Sequence, residues 1–336
     1  MALLDIKNLT ISFDTLDGTV NAVNDLSFSL EKSETLAIVG ESGSGKTQAM
    51  LGIMGLLASN GHASGEILFN NQSLLSMPAK NLNKIRGKDI AMIFQDPMTS
   101  LNPYLRISTQ MTEVLVHHEG MDEARAKQRA VEMLDLVKIP DAKKRIDYYP
   151  HEFSGGMRQR VAIAMALLCH PQIIIADEPT TALDVTVQAQ ILKLFGDIKQ
   201  EFNTAIIMIT HDLGVVASVA EQVLVLYAGQ MMELGSLDDI YYSPENPYTR
   251  GLLHSVPRAN QKHDEVLYSI PGNPPNMLET PSGCPFHLRC EFKDQLCLEK
   301  RPNLIETTSG HWKACHRENL PLSSLNQELS NQEAGQ

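Results

Sequence analysis

The sequence predicts an α/β fold built on a largely parallel sheet. Short apolar runs typical of buried strands alternate with longer segments whose apolar residues recur at helical spacing. A glycine-rich loop lies between one such strand and a helix, which is the usual position of a phosphate-binding loop. With 336 residues, the chain is long enough for one large domain and a smaller one.

The N-terminal part predicts antiparallel strands followed by the start of the parallel sheet. Alternating apolar and polar residues indicate strands over 4–13 and 20–30, joined by a turn at Asp17-Gly18. A buried strand is expected over 35–39, and an apolar helix from Lys46 to about residue 57. Further strands are expected over 65–69 and 89–94.

The middle of the chain predicts a helical insertion into this α/β core. Helical patterns dominate from about residue 97 to about residue 160, with Ala126, Ala130 and Met133 on one face. Strand patterns then return over 173–176, 205–209 and 223–227. After Asn246 the chain is rich in proline and predicts a loop-rich extension.

Charge and hydropathy argue against three classes of protein, which are nucleic-acid-binding, membrane-spanning and secreted proteins. Lys and Arg total 28 against 40 Asp and Glu, a net charge of −12, so nucleic acid is not an expected partner. The longest apolar run, residues 161–169, is far shorter than the ~20 residues of a membrane-spanning helix. Asp5 interrupts the apolar stretch that a signal peptide would need. We therefore expect a cytosolic chain that reaches a membrane only through partners.

A phosphate site is predicted at GESGSGKT, residues 40–47, which fits the pattern G-x-x-x-x-G-K-[ST]. Glycines let backbone N–H groups turn inward around phosphate oxygens, and the helix N-terminus adds a partial positive charge. Lys46 is expected to reach the β- and γ-phosphates, and the Thr47 hydroxyl to bind Mg²⁺. The predicted phosphate ligands are Gly40, Ser42, Gly43, Ser44, Gly45, Lys46 and Thr47.

Two adjacent carboxylates, Asp177 and Glu178, end the apolar strand over 173–176. Carboxylates at this position are costly unless a cation is near, and ligands of an α/β sheet bind at the carboxyl ends of its strands. We expect Asp177 to hold the Mg²⁺ shell and Glu178 to orient or deprotonate the attacking water. A merely solvated pair of acids is the alternative.

FSGGMRQR, residues 153–160, resembles the LSGGQ signature of ATP-binding-cassette (ABC) ATPases. Phe153 and Met157 depart from that form, whereas Ser154, Gly155 and Gly156 are kept; a plain serine N-cap would explain Ser154 as well. Other elements follow in the family's order. They are Phe13 for adenine (or an ordinary core residue), Gln95 of the Q-loop, Asp184 of the D-loop and His211 as the switch histidine.

The resemblance implies a P-loop ABC-type nucleotide-binding domain. This fold has a RecA-like core, an antiparallel β subdomain and an inserted helical subdomain. The match extends to the D-type ATPase subunits of bacterial oligopeptide permeases through FQDPMTSLNPY, IADEPTTALDVTVQAQI, NPYTRGLL, IPGNPPN and GCPFHLRC. The expected parts are an ATPase domain (1–254, helical subdomain about 97–160), the C-terminal extension (255–320) and a disordered tail (321–336).

The family also implies a mechanism in which each ATP lies between two subunits. Lys46, Thr47, Gln95, Asp177, Glu178 and His211 would serve this chain's nucleotide, with Glu178, His211 and Gln95 catalytic and Thr47, Gln95 and Asp177 on Mg²⁺. Ser154, Gly155 and Gly156 would serve the partner's nucleotide.

The expected partners are a second, homologous ATPase subunit, two transmembrane permease subunits and an extracytoplasmic peptide-binding protein. They would place this chain at the cytoplasmic face of the inner membrane. Alternatives are a dipeptide permease, a soluble ABC ATPase acting in DNA repair or on ribosomes, and a sensor built on the cysteines.

Four of the five cysteines, Cys284, Cys290, Cys297 and Cys315, are separated by five, six and seventeen residues. In a reducing compartment such a group favours metal binding over disulfides. Four thiolates suit zinc or an iron–sulfur cluster. The wide spacing and the resemblance favour [4Fe–4S]; zinc and no metal stay open.

Overall fold

Two β-sheets organise the chain. The computed structural model describes residues 2–96, 100–181, 183–256, 268–318 and 320, so the predicted tail over 321–336 lies outside the described residues. The first sheet is antiparallel in the order β2-β1-β4-β5. Its strands are β1 (Leu4–Thr15), β2 (Gly18–Leu30), β4 (Gly61–Phe69) and β5 (Gln72–Ser73). The predicted N-terminal hairpin is therefore confirmed.

The second sheet is the core of the molecule and runs in the order β11-β12-β10-β9-β3-β8-β7-β6. Its central strands β9, β3, β8, β7 and β6 are parallel. The strands are β3 (Thr35–Val39), β6 (Ile90–Ile93), β7 (Ile173–Asp177), β8 (Ala205–Thr210), β9 (Gln222–Tyr227), β10 (Gln230–Ser236), β11 (Leu304–Thr308) and β12 (His311–Ala314).

The helices surround this sheet. They are α1 (Lys46–Ile53), α2 (Ala79–Ile85), α3 (Ile107–Glu119), α4 (Glu123–Leu136), α5 (Ala142–Arg145), α6 (Gly155–Leu167), α7 (Val185–Phe202), α8 (Leu213–Val216), α9 (Leu237–Tyr242), α10 (Pro247–His254) and α11 (Gln295–Glu299). Helices α3 to α6 lie between β6 and β7 in the sequence, as the predicted insertion requires. None of the described helices is long and apolar enough to cross a lipid bilayer.

Strand β7 shows why the sheet needs cover on both faces. Ile173 and Ile175 pack in one core with the antiparallel sheet and α1, whereas Ile174 and Ala176 pack in another with α3, α4, α6 and α7. Successive side chains of a strand point to opposite faces, so a continuous apolar run is buried only when both faces are covered. The burial of β7 therefore fixes the position of Asp177 and Glu178 at its carboxyl end.

Helix α1 ends at Ile53, four residues earlier than the sequence predicted. Gly55 adopts a positive φ of 61°, which stops the helix. Arg86 then donates from Nε to the Met54 carbonyl and from Nη2 to the Gly55 carbonyl, each at 2.6 Å. These bonds satisfy carbonyl groups that a helix end would leave open.

The C-terminal region is more ordered than the proline-rich sequence suggested. Strands β11 and β12 form a hairpin, and β12 pairs with β10 through Glu233 opposite Lys313 and Leu234 opposite Trp312. A buried side chain reinforces the joint, because Asn246 donates to the Met232 and Ala314 carbonyls. The hairpin thus continues the core sheet.

Candidate nucleotide site

The glycine-rich loop follows β3 and opens α1. Gly40, Gly43 and Gly45 have φ values of 154°, 77° and 99°, which L-residues rarely adopt. A Cβ on Gly40 would lie 2.1 Å from the Leu226 carbonyl oxygen, whereas a Cβ on Gly43 would meet nothing within 4 Å. The loop is therefore packed against β9 on one side and open at Gly43.

Lys46 lies across this loop and is only 5% exposed. Its Nζ donates to the carbonyls of Gly40 (2.7 Å) and Glu41 (2.8 Å), and to Ser44 Oγ (3.3 Å). Burial lowers the pKa of Lys46, and the nearby carboxylates of Glu178 and Asp177 oppose that effect. A cation in this position can exchange its carbonyl contacts for phosphate oxygens.

Asp177, at the end of β7, is 2% exposed. Burial raises its pKa, and a hydrogen bond with Thr47 acts in the other direction. Its Oδ1 atom is buried and has no hydrogen-bond partner in the described part of the chain. A buried carboxylate oxygen without a partner beside a threonine hydroxyl is a donor set that fits Mg²⁺.

Glu178 contacts two further predicted side chains, Gln95 and His211. Its Oε2 accepts hydrogen bonds from Gln95 Nε2 (3.0 Å) and Thr181 Oγ1 (2.9 Å). Its Oε1 lies 3.1 Å from Nδ1 of His211, which follows β8. Burial acts to raise the pKa of Glu178, but the hydrogen bonds from Thr181 and His211 outweigh it and the net pKa is lowered. The carboxylate is therefore ionised at neutral pH, as a base must be.

The backbone of Glu178 has a φ of 44°, a conformation that is strained for a residue with a side chain. A hydrogen bond from its N–H to the Ile209 carbonyl (2.9 Å) holds it there. Strain of this kind is concentrated at functional sites, where the surrounding structure maintains it. No pattern in the sequence predicted this conformation.

The signature residues lie at the exposed start of α6. Ser154 caps the helix by accepting a hydrogen bond from the Met157 amide (3.4 Å), so the predicted N-cap role is confirmed. Gly155 is exposed, and a Cβ there would meet nothing within 4 Å. A Cβ on Gly156 would lie 2.7 Å from Val187 in α7, the helix that Asp184 caps. These residues lie at a helix N-terminus, where the first N–H groups have no partner within the helix.

Sequence comparisons place this geometry in a family. The profile of the ABC transporter family matches residues 23–181, and a profile described as the C-terminal region of oligopeptide/dipeptide transporters matches residues 232–297. The oligopeptide transport ATP-binding protein OppD of Escherichia coli is 57% identical over 94% of this chain and 93% of its own length. The chain belongs to the ABC transporter ATPases.

Further relatives are similar along nearly the whole of this ABC ATPase. The OppD of Bacillus subtilis is 51% identical over 92% of this chain and 87% of its own length. The dipeptide transport protein DppD of the same organism is 51% identical, over 93% and 94% respectively. The dimeric cassette MJ0796 in a post-hydrolysis state with ADP and Pi matches 70% of this chain and 98% of its own, with a TM-score of 0.63 and 28% identity.

This ABC ATPase thus brings Lys46, Thr47, Gln95, Asp177, Glu178 and His211 together. Ser154, Gly155 and Asp184 lie on the exposed surface at the starts of α6 and α7. Phe13 is half-buried against the core and lies opposite Val20 of β2. Two residues further along β2, the Ala22 carbonyl contacts Gly45 of the phosphate loop. Its predicted contact with adenine stays a prediction.

Two contacts of the site were missed by sequence reasoning. Thr181 lies in the run IADEPTTALD, so its spacing of three residues from Glu178 was available as a signal. Arg289 pairs with Glu41 inside the phosphate loop across 248 residues of chain, and no local pattern announces such a contact.

The four cysteines that were predicted to bind a metal line one cavity together with Phe286 and Phe292. Burial raises the pKa of Cys284 to about 12 and that of Cys290 to about 11, so these thiols are protonated at neutral pH. The cavity measures about 20 Å³, room for one water molecule. Within the described ranges, no group of three or more His, Cys, Asp or Glu is arranged to hold a metal ion. The arrangement of the cysteines therefore does not support the predicted [4Fe–4S] cluster.

Proposed function

We propose that this ATPase powers the import of oligopeptides across the bacterial cytoplasmic membrane. The observation that carries the proposal is the combination, in one chain, of a phosphate site with all its expected side chains and a peptide-transporter C-terminal region. OppD of E. coli is 57% identical, and OppD and DppD of B. subtilis are both 51% identical, so the identities support a peptide cargo and leave its length to the uptake assay below.

In this proposal the described side chains divide the work of hydrolysis. Lys46 and the loop amides bind the phosphates, and Phe13 lies beside adenine. Thr47, Asp177 and Gln95 would hold Mg²⁺, which neutralises charge on the β- and γ-phosphate oxygens. Glu178 accepts a proton from the attacking water, and His211 holds the Glu178 carboxylate in place through its 3.1 Å contact.

The exposed signature supports a site shared between two subunits. Ser154, Gly155 and Gly156 present N–H groups at the start of α6 and would bind the γ-phosphate held by a second, homologous ATPase subunit, with Asp184 beside them. Such donors gain an acceptor only when the partner carries a triphosphate. ATP would therefore stabilise the dimer, and hydrolysis would open it.

A surface cavity supports the docking of permease subunits. It measures about 220 Å³ and lies between β6 and the inserted helices, where Phe94, Leu101 and Ala166 contribute apolar surface. Phe94 is exposed although it is large and apolar. A short helix from a membrane subunit would cover such a surface, and this contact would hold the ATPase at the cytoplasmic face of the inner membrane.

Affinity purification of the tagged chain from detergent-solubilised membranes tests the assembly. We expect two membrane permease subunits and a second ATPase subunit, identified by mass. Recovery with soluble proteins alone would contradict the proposal and favour a soluble ABC ATPase. Uptake of labelled tetrapeptides and dipeptides by cells with and without this chain then decides the cargo, because a defect confined to dipeptides would reverse the assignment.

We also propose that the four cysteines hold a metal centre, with [4Fe–4S] as the family resemblance implies and zinc as the alternative. Support comes from the four cysteines lining one cavity with Phe286 and Phe292; Cys297 is buried and the other three are half-buried. The centre would tie together a region with little apolar core of its own. Anaerobic purification followed by iron, sulfide and zinc assays distinguishes the cases, and protein without any of them would refute the proposal.

A further inference from the structure

Glu41 lies inside the phosphate-binding loop, but a residue near the other end of the chain holds its side chain. Arg289 Nη1 lies 2.6 Å from Glu41 Oε2, and Nη2 lies 2.9 Å from Oε1. Two parallel bonds between a guanidinium and a carboxylate fix orientation as well as distance. The Arg289 side chain is 4% exposed, so water and salt screen the pair only weakly.

Arg289 is itself immobilised on every side. Its Nε donates to the Pro271 carbonyl at 3.0 Å and its Nη2 to the Ile270 carbonyl at 3.2 Å. Its Nη1 reaches the Tyr227 hydroxyl at 3.2 Å, and its guanidinium carbon lies 5.7 Å from the centre of that ring. Because these contacts hold the guanidinium in one position, they also determine where the Glu41 carboxylate lies.

The main chain of Glu41 is anchored to the same region. The Glu41 N–H donates to the hydroxyl of Tyr248, a fully buried residue of α10, at 2.9 Å. The Tyr248 ring packs at 4.5 Å from Tyr227 and at 5.3 Å from Phe286, measured between ring centres. Phe286 and Arg289 both belong to the C-terminal GCPFHLRC segment. The C-terminal segment therefore fixes the Glu41 side chain, and α10, which packs on that segment through Phe286, fixes the Glu41 amide.

This anchoring bears on nucleotide binding because the loop binds phosphate through inward-pointing N–H groups. Glu41 stands between Gly40 and Ser42, and its neighbours Gly43 and Gly45 are conformationally permissive. A loop rich in glycine loses much entropy when it adopts one shape. If Glu41 is already fixed in the free protein, less conformational entropy is lost when ATP binds.

We propose that Arg289 is a positioning residue for the ATP site: it holds the phosphate loop in its binding shape, so that the C-terminal region sets the affinity for nucleotide. The inference rests on ATP binding at this loop. Arg289 directly precedes Cys290, so a change at the thiol cavity reaches the phosphate loop through a single residue. By reciprocity, bound nucleotide also stabilises the C-terminal segment.

The test compares affinities for a fluorescent ATP analogue, titrated into the full-length chain without Mg²⁺ so that hydrolysis is suppressed. We expect Arg289→Gln to raise Kd about tenfold, within the range usual for coupled sites. In the assembled transporter, KM for ATP rises while kcat at saturating ATP changes less than KM. The matched control is Arg301→Gln, which removes an exposed arginine of the same region that donates to the Asn24 carbonyl and does not line the cysteine cavity, and its Kd is expected to equal that of the wild type.

A double-mutant cycle separates positioning from simple charge. In a Glu41→Gln background, Arg289→Gln has little further effect if Arg289 acts through Glu41. An equal loss in both backgrounds would show that the positive charge alone attracts ATP, and it would overturn the proposal. Arg289→Lys, which keeps the charge but loses the two-bond geometry, also weakens binding. It supplies the same comparison if Arg289→Gln unfolds the region.

Unchanged affinity in both Arg289 variants would refute the inference and leave the ATPase function intact. A wild-type chain that binds no ATP analogue would instead contradict the function itself. Hydrogen exchange over residues 268–290 gives the reciprocal readout: protection by the analogue is expected in the wild type and lost in Arg289→Gln.

Discussion

Replacing Glu178 with glutamine removes a carboxylate and keeps the size of the side chain. Three donors surround this carboxylate, from Gln95, Thr181 and His211. Each of them can reverse its role, because an amide flips, a hydroxyl rotates and an imidazole changes tautomer. The glutamine amide can therefore be accommodated, and ATP binding at Lys46 is retained.

The loss falls on proton transfer instead. The lowered pKa of Glu178 keeps it ionised in the wild type, and glutamine cannot accept a proton from water. A positioned base contributes about 10²–10⁴-fold to a rate, which corresponds to roughly 3–5 kcal/mol of activation free energy. We expect turnover of the assembled transporter to fall by this factor while Kd for ATP stays nearly constant.

Steady-state phosphate release gives the turnover, and titration with ATP gives the affinity. The matched control is Glu132→Gln, because Glu132 is an exposed carboxylate of α4 whose partners among the described residues are Gln128 and Arg129 of the same helix. This control is expected to hydrolyse ATP at the wild-type rate. Near-normal turnover of the Glu178→Gln protein would refute the role of Glu178 as base.

Three other substitutions test separate parts of the molecule. Gly45→Ala places a Cβ 2.3 Å from the Ala22 carbonyl oxygen at a φ of 99°, so loss of ATP binding in a titration is expected. Gly155→Ala meets no neighbour within 4 Å, so the melting temperature stays unchanged while ATP-dependent association with the second subunit weakens. A hydrogen bond with Glu233 raises the pKa of the buried His311. Its stabilisation is therefore complete below the ordinary histidine pKa of 6.5 and is lost as pH rises through the raised pKa, so the advantage of the wild type over His311→Asn in melting temperature should shrink as pH rises above 6.5.

Local chemistry explains how much of the site was predictable. The phosphate loop is specified by glycines whose conformations are intrinsic to the residue, and the Asp177-Glu178 pair follows an unmistakable buried strand. Both the position of these residues and their convergence at one edge of a parallel sheet follow from rules that act over a few residues. The end of α1 was mispredicted although Gly55 was a visible stop signal.

Contacts between distant parts of the chain were out of reach. The proline content of the C-terminal region suggested loops, but its hairpin is ordered because β10 offers an edge that β12 completes. The Arg289–Glu41 pair likewise depends on how α10 and the aromatic rings of Tyr227 and Phe286 bring the two segments together. The residues next to Glu41 and to Arg289 in the sequence do not indicate that these two side chains form a pair.

The pairing of β12 with β10 also limits how such proteins can exchange parts during evolution. A recombination event near residue 255 would replace β12 but keep the β10 edge of the original parent, together with the buried Glu233 that meets His311. Chimaeras between related subunits should therefore be viable when the crossover lies before β10 or after β12, so that both strands and their shared Glu233–His311 contact are inherited from one ancestor.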